Sequence, residues 1–190
     1  MKKALKISAL LMAFVLVIAG TVGVTLALLT SKSETVTNTF SIGNVKISLA
    51  ETTTDNDYKL IPGNTISKDP TITVGADSED CWIYVRLEVA NDLAAVLTLD
   101  YDAAWEVKST TAGTATTVII LKPKATKTAN DKIAVFGDNN ILVKDNATAD
   151  DLDKANDKTL VVTAYAVQKA NVDDADDAWT ALQQAFTELA

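Results

Sequence analysis

The sequence predicts a mainly β fold, a β-sandwich with a C-terminal amphipathic helix that is preceded by a cleaved signal peptide. Three observations support this prediction. Short runs of β-branched and aromatic residues alternate with loops rich in Thr, Asn, Asp and Gly. Residues 173–190 carry apolar side chains at helical spacing. The first thirty residues combine lysines with a long apolar stretch, as in an export signal.

The N-terminal segment has the three regions of a secretory signal. Its positive region contains Lys2, Lys3 and Lys6. An apolar region over residues 9–19 follows, and Thr25 and Ala27 supply the small residues that signal peptidase requires. We therefore predict cleavage between Ala27 and Leu28. The alternative is an uncleaved membrane anchor, because residues 7–29 are apolar over a length that can just span a bilayer.

This cleavage site divides the chain into three parts. Residues 1–27 form the signal peptide, residues 28–40 an N-terminal segment, and residues 41–190 a single β-sandwich domain with its helix. The whole chain has a formal net charge of -8, from 17 Lys+Arg and 25 Asp+Glu. Loss of the three signal lysines makes the secreted chain more acidic, at about -11. Such a charge argues against nucleic acid as a partner, and against membrane contact after cleavage.

The numbers of histidine and cysteine residues restrict the reactions, metal sites and disulfides that the chain can form. The chain has no histidine, which removes the commonest general base and the usual zinc ligands. Cys81 is the only cysteine, so no intramolecular disulfide can form. We read Cys81 as a small buried hydrophobe, with a reactive thiol or an intermolecular disulfide as the alternative. We expect no enzymatic activity, no catalytic residue, no cofactor and no resident metal, although acidic loops leave weak calcium binding open.

Period-two alternation predicts the strands. Val45, Ile47 and Leu49 alternate with polar residues, residues 61–64 form a turn, and residues 71–74 form a strand. Residues 81–89 give the clearest strand, with the odd positions facing the core. The opposite face carries Trp82, Tyr84, Arg86 and Glu88. We expect the C-terminal helix or another strand to cover it, and binding of a glycan or partner is the alternative.

The rest of the domain follows from similar patterns. Two hairpins are predicted, one from residues 105–108 and 116–122, the other from residues 133–136 and 141–144. Residues 91–102 fit neither the helical nor the strand period and receive no assignment. Residues 150–156 are predicted to form a short surface helix. Residues 159–168 are apolar on both faces, which predicts a central strand covered on two sides.

The C-terminal helix is predicted over residues 173–190. Its start is crowded with Asp173, Asp174, Asp176 and Asp177, where the helix dipole favours negative charge. An apolar stripe containing Trp179 and Phe186 should pack on the sandwich.

Several segments together resemble the TasA/camelysin family of exported Gram-positive proteins. The segment that precedes the predicted cleavage site, and residues 37–45 with the pattern T-N-x-F-x-x-G-N-V, are similar to substrates of the SipW type of dedicated signal peptidase. Residues 60–64, residues 82–89, and residues 164–168 followed by Ala178 and Trp179 are also similar to that family.

The resemblance implies a jelly-roll-like β-sandwich that is secreted and assembles into extracellular fibres of the biofilm matrix. It further implies donor-strand exchange, in which the segment freed by cleavage completes the sheet of a neighbouring copy or of a related fibre subunit. The matching residues here are Leu28, Leu29, Thr35, Val36, Thr37, Thr39 and Phe40. The last five of these residues have high β propensity, and no Pro or Gly interrupts residues 28–42.

Three alternatives accompany this interpretation. Residues 28–40 could instead be a disordered new N-terminus, or a first strand that folds back on its own domain. The protein could be a monomeric surface or accessory protein that anchors or nucleates a fibre. The family also includes a described metalloendopeptidase, which the lack of histidine in this chain disfavours.

Overall fold

The computed structural model describes residues 44–52 and 58–189. The predicted signal peptide, the cleavage site at Ala27 and Leu28, and the candidate donor residues of segment 28–40 lie outside the described residues.

Ten strands and three helices form within the described residues. The strands are β1 (Ile47–Ala50), β2 (Thr65–Ser67), β3 (Thr71–Val74), β4 (Cys81–Ala90), β5 (Leu97–Thr98), β6 (Trp105–Ala112), β7 (Thr116–Pro123), β8 (Lys132–Ala134), β9 (Asn140–Val143) and β10 (Leu160–Gln168). The helices are α1 (Asn91–Val96), α2 (Ala149–Ala155) and α3 (Ala175–Ala185), and 3-10 turns cover Gly137–Asn139 and Thr187–Leu189.

The strands build three antiparallel sheets. The central sheet has four strands in the order β10-β4-β7-β6, and two smaller sheets have the orders β1-β3-β8 and β2-β9-β5. One apolar core joins one face of the central sheet to both smaller sheets and to α1. The expected mainly β fold with a C-terminal helix is therefore confirmed. No helix of the described residues is long and apolar enough to cross a bilayer.

The alternation in β4 positions both faces of the central sheet as predicted. Its odd residues are fully buried in the main core, among them Ile83, Val85 and Leu87. Tyr84 points to the opposite face and is equally buried, together with Ala178 and Leu182 of α3. The helix thus covers the second face of the sheet, as the sequence indicated.

The turn at residues 61–64 is confirmed. Asn64 donates its backbone N–H to the carbonyl oxygen of Ile61 at 3.0 Å, and Gly63 has a φ of +78°. Proline followed by a glycine with positive φ is the pattern of a type II turn, which a side chain at Gly63 would strain. The turn leads into β2, a three-residue strand that the sequence pattern did not predict.

One predicted hairpin is correct and the other is wrong. β6 and β7 pair as expected and are joined at Gly113, whose N–H bonds the carbonyl of Thr116 at 2.8 Å. β8 and β9 do not pair, because β8 joins β3 in one small sheet and β9 joins β2 and β5 in the other. Asp138 and Asn139, with φ values of 50° and 56°, redirect the chain between the two sheets.

The prediction that residues 159–168 form a central strand is also wrong. β10 lies at the edge of the four-stranded sheet and pairs with β4 alone among the described residues. Its apolar side chains are explained by cover on both faces, since residues of β10 pack in the main core and under α3. Burial of the two faces of a strand does not require a neighbour on each edge, and the sequence pattern reports only the faces.

Residues 91–102 change secondary structure within a few residues, which explains the mixed period. Asn91–Val96 is α1, and Leu97–Thr98 follows directly as β5. Leu93 and Val96 are buried from the helix, and Leu97 is buried from the strand. The short surface helix predicted at residues 150–156 is confirmed as α2.

Candidate functional site

The candidate site is the edge of β10 that does not face β4 and that pairs with no other described strand. The sequence LVVTAYAVQ of Leu160–Gln168 contains no Pro, Gly or charged residue. Natural edge strands are usually protected by Lys, Pro, bulges or a covering element, because unpaired backbone groups recruit other strands. β10 has none of these sequence devices and is long for an edge strand.

One edge of β10 is fully paired. The register with β4 runs without a bulge from Leu160 opposite Val89 to Gln168 opposite Cys81. The other edge has no strand partner among residues 44–52 and 58–189. A strand of another segment that paired with this edge would lie antiparallel or parallel to β10 and would use its alternate backbone N–H and C=O groups.

Both faces of β10 are packed, which keeps the strand extended and rigid. Val162, Ala164 and Ala166 contribute to the main core. On the other face Tyr165 is buried and its ring lies 5.1 Å from the ring of Phe186. The edge is thus held in place before any partner arrives, and a partner does not have to order it.

Helix α3 fixes the face of the sheet next to this edge. Asp174 caps the helix, and its Oδ1 accepts the backbone N–H groups of Asp176 and Asp177 at 2.8 and 3.0 Å. The Tyr84 hydroxyl donates to the carbonyl oxygen of Ala175 at the first turn, and its ring lies 5.2 Å from that of Trp179. Burial raises the pKa of Tyr84 far above its usual value, with smaller contributions from nearby carboxylates, so the phenol remains a donor.

The opposite edge of the same sheet is protected. β6 carries Glu106 and Lys108, and its register shifts at an irregularity between Val107 and Ser109. The Lys108 Nζ lies 2.7 Å from the carboxylate of Asp176. Bulges and charges of this kind disfavour pairing with another chain. The two edges of one sheet therefore differ in the property that controls strand addition.

A second unpaired edge lies beside β10. β1 is the outer strand of its own sheet and pairs only with β3 in the described part of the chain. Some of its Cα atoms come within 8 Å of Cα atoms of β10, yet the two strands are not paired. The outer strand of the four-stranded sheet and the outer strand of a three-stranded sheet thus lie next to each other.

The acidic side chains and Cys81 are the groups that the sequence left open for metal binding or thiol chemistry. No group of three or more Asp, Glu or Cys side chains in this part of the chain is arranged to hold a metal ion. Burial, reinforced by the carboxylates of Asp80 and Asp131, raises the pKa of the Cys81 thiol to about 11. Cys81 is also completely buried, which agrees with the structural role predicted for it.

The sequence analysis predicted a donor segment for strand addition and no acceptor strand. It identified a candidate donor in residues 28–40, which lie outside the described residues. It missed the edge of β10 because the strand was expected to be central. No local signal could have found it, because the uncharged sequence of β10 reports cover on its two faces and says nothing of its edges. Comparison with known proteins finds no matching family model, curated protein or solved structure.

Proposed function

We propose that the protein is a secreted structural subunit of an extracellular filament, of the kind found in biofilm matrices and on cell surfaces. Subunits assemble by β-strand addition and the protein acts through assembly, without catalysis. The observation that carries this proposal is the uncharged and regular edge of β10, which pairs with no strand of residues 44–52 and 58–189. The proposal includes the jelly-roll-like sandwich and the TasA/camelysin relationship that the sequence resemblance implies.

The acceptor in this proposal is the edge of β10. An added strand gains a ladder of main-chain hydrogen bonds, and its alternate side chains extend the two packed faces of the sheet. Val161 provides apolar surface for that contact, since it is 47% exposed beside the paired residue Glu88. The neighbouring edge of β1 offers a second row of backbone groups next to the same opening.

The donor is the segment of residues 28–40 of another copy or of a related subunit. The segment is longer than the nine residues of β10 and contains no Pro or Gly, so it can pair along the whole edge. Leu28, Val36 and Phe40 share one face of an extended strand and supply apolar side chains to that face of the enlarged sheet. A contact from the donor of one copy to the acceptor of the next is head-to-tail and does not close, which produces a filament.

Signal cleavage serves as the assembly switch. Before cleavage, residues 28–40 are tethered to the membrane by the signal peptide and cannot extend into a neighbour. A dedicated signal peptidase that cuts between Ala27 and Leu28 releases the donor only after export. Filaments then form outside the cell, where the open edge of β10 meets free donor segments.

An edge-specific substitution tests the acceptor. Val161→Lys places a charge on the β10 edge, and Val107→Lys is the matched control on β6, where valine is 44% exposed. We expect Val161→Lys to abolish filaments in negative-stain electron microscopy and Val107→Lys to leave them intact, because charge on an edge strand blocks pairing. Equal behaviour of the two variants, at equal thermal stability, would contradict an acceptor at β10.

Truncation tests the donor. A chain that begins at Leu28 should form filaments, whereas a chain that begins at Ser41 should stay monomeric because it lacks the donor segment. Filaments from both chains would retain the filament and exclude the donor mechanism. Monomers from both would instead support the accessory role, in which the protein anchors or nucleates fibres made of another subunit.

A further inference from the structure

A cavity of about 760 Å³ lies at one end of the domain, away from the helix α3. Its walls come from the small sheet β2-β9-β5, from α1 and α2, and from the start of β10. The volume falls in the range of sites that bind small organic molecules.

Slightly more than half of the wall is apolar. Six apolar residues from six different elements line the space: Ile66, Leu93, Leu97, Ile141, Leu152 and Leu160. Such a lining favours a ligand with a hydrocarbon body, because burying its surface removes apolar area from water on both sides.

Lys68 is a charged residue of the cavity lining. The Nζ atom of Lys68 lies 2.6 Å from the carboxylate of Glu51, and the two side chains are only 12% and 18% exposed. The same Nζ lies 5.5 Å from the ring centre of Tyr58, and both Tyr58 and Lys68 line the cavity. A lysine ammonium has three N–H donors, so two remain after the bond to Glu51.

The charge around the cavity is balanced. Lys68 is neutralised by Glu51, and the remaining charged lining residues are two lysines and two aspartates, Lys59, Lys158, Asp153 and Asp157. An anionic ligand would place a second negative charge beside Glu51, and a cationic ligand would repel the Lys68 ammonium. A neutral ligand that accepts a hydrogen bond avoids both the repulsion by Glu51 and the repulsion by Lys68.

We infer that this cavity binds a neutral amphiphile, a molecule with an apolar chain and one carbonyl or hydroxyl oxygen that accepts from Lys68. The apolar chain occupies the space between α2 and the small sheet, and the oxygen lies at the polar end formed by Lys68 and Tyr58. The cavity is built within one copy of the chain, and its wall shares Leu160 and Val161 with β10, the acceptor strand of the proposed assembly.

Fluorescence titration tests the cavity, with the chain that begins at Leu28 because it retains all described residues. N-phenyl-1-naphthylamine, a neutral apolar probe, should bind saturably. Leu152→Trp fills the space and should abolish binding, whereas Lys154→Trp, on the same helix but outside the lining, should bind as the native chain does. No saturable binding by the native chain, or equal binding by the two folded variants, overturns the cavity site.

Competition tests the ligand class. Decan-2-one should displace the probe at about tenfold lower concentration than decanoate or decylammonium. The double variant Lys68→Met with Glu51→Gln removes the donors without leaving an unpaired charge, and also provides a test if Leu152→Trp does not fold. It should retain probe binding and lose about tenfold in affinity for decan-2-one. Equal competition by the three ligands, or an unchanged double variant, overturns the assignment to a neutral acceptor.

Discussion

The structural role of Cys81 follows from its position in β4. It is the first residue of β4, its side chain is completely buried, and its backbone pairs with Lys127 in an isolated bridge. The thiolate is the reactive form of cysteine, and both burial and a pKa of about 11 suppress it. The residue therefore contributes packing to the core.

We predict that Cys81 is inert in the folded protein. At about pH 8 the free thiol of an unfolded chain is partly ionised, whereas the buried thiol stays protonated. Iodoacetamide should leave the native protein unmodified and should alkylate the chain once concentrated guanidinium chloride is added, as followed by mass spectrometry. Rapid modification of the native protein, or a disulfide-linked dimer, would instead support the reactive-thiol alternative.

At the scale of elements, the short helix α2 depends on its first residue. Thr148 caps the helix, and a reciprocal pair of bonds joins it to Asp151: the backbone N–H of Asp151 donates to Thr148 Oγ1 at 3.3 Å, and the backbone N–H of Thr148 donates to the Asp151 carboxylate at 3.1 Å. The Thr148 hydroxyl also bonds this carboxylate, and these bonds lower the pKa of Asp151.

We predict that Thr148→Ala lowers the melting temperature by about 3 °C at neutral pH, through loss of the cap. A carboxylate with a lowered pKa stabilises the fold above the usual pKa and loses this effect as the pH falls through the folded value. The difference between the variant and the native chain should therefore shrink below about pH 4. Circular dichroism melts would measure both effects.

The control for this experiment is Thr180→Ala, the same substitution at an exposed position inside α3. Alanine has the higher helix propensity there, so the melting temperature should stay the same or rise slightly. A Thr148→Ala variant that behaves like this control at neutral pH would show that the cap does not stabilise the domain.

The elements that the sequence predicted correctly are those whose residues carry a local signal. β4 alternates strictly, the β6–β7 hairpin contains Gly113 at its turn, and α3 combines acidic residues at its start with an apolar stripe. Each signal depends on neighbours within a few positions. The type of these elements could therefore be read without knowledge of the partners.

The failures concern pairing, which local patterns do not encode. Residues 133–136 and 141–144 resemble a hairpin in sequence because four turn-forming residues lie between them, yet β8 is bonded to β3 and β9 to β2, both far away in sequence. The edge position of β10 was missed for the same reason, since an uncharged strand predicts cover on its faces and not on its edges. The acceptor half of the proposed site thus depends on topology.

For the molecule as a whole, net charge and the open edge act in opposite directions. The apolar, uncharged β10 edge favours association in the proposed filament, whereas a chain cut at the predicted site would carry a charge of about -11, because the chain total of -8 includes three lysines of residues 1–27. Like charges repel when subunits approach, and the repulsion slows association over distances up to the screening length. The balance between the two effects should respond to salt.

We predict that filament growth by the chain that begins at Leu28 accelerates when NaCl rises from about 20 mM to about 500 mM, because screening shortens the reach of the repulsion. Light scattering with seeded growth would measure the rate. Sucrose at matched osmolality is the control, since it strengthens apolar burial without screening charge and should give a smaller acceleration. Val161→Lys should remain monomeric at every salt concentration. The lysine prevents strand pairing at the β10 edge, and screening of the repulsion between subunits does not remove this obstacle. A growth rate that falls with salt would contradict this balance and would indicate that attraction between opposite charges holds the subunits together.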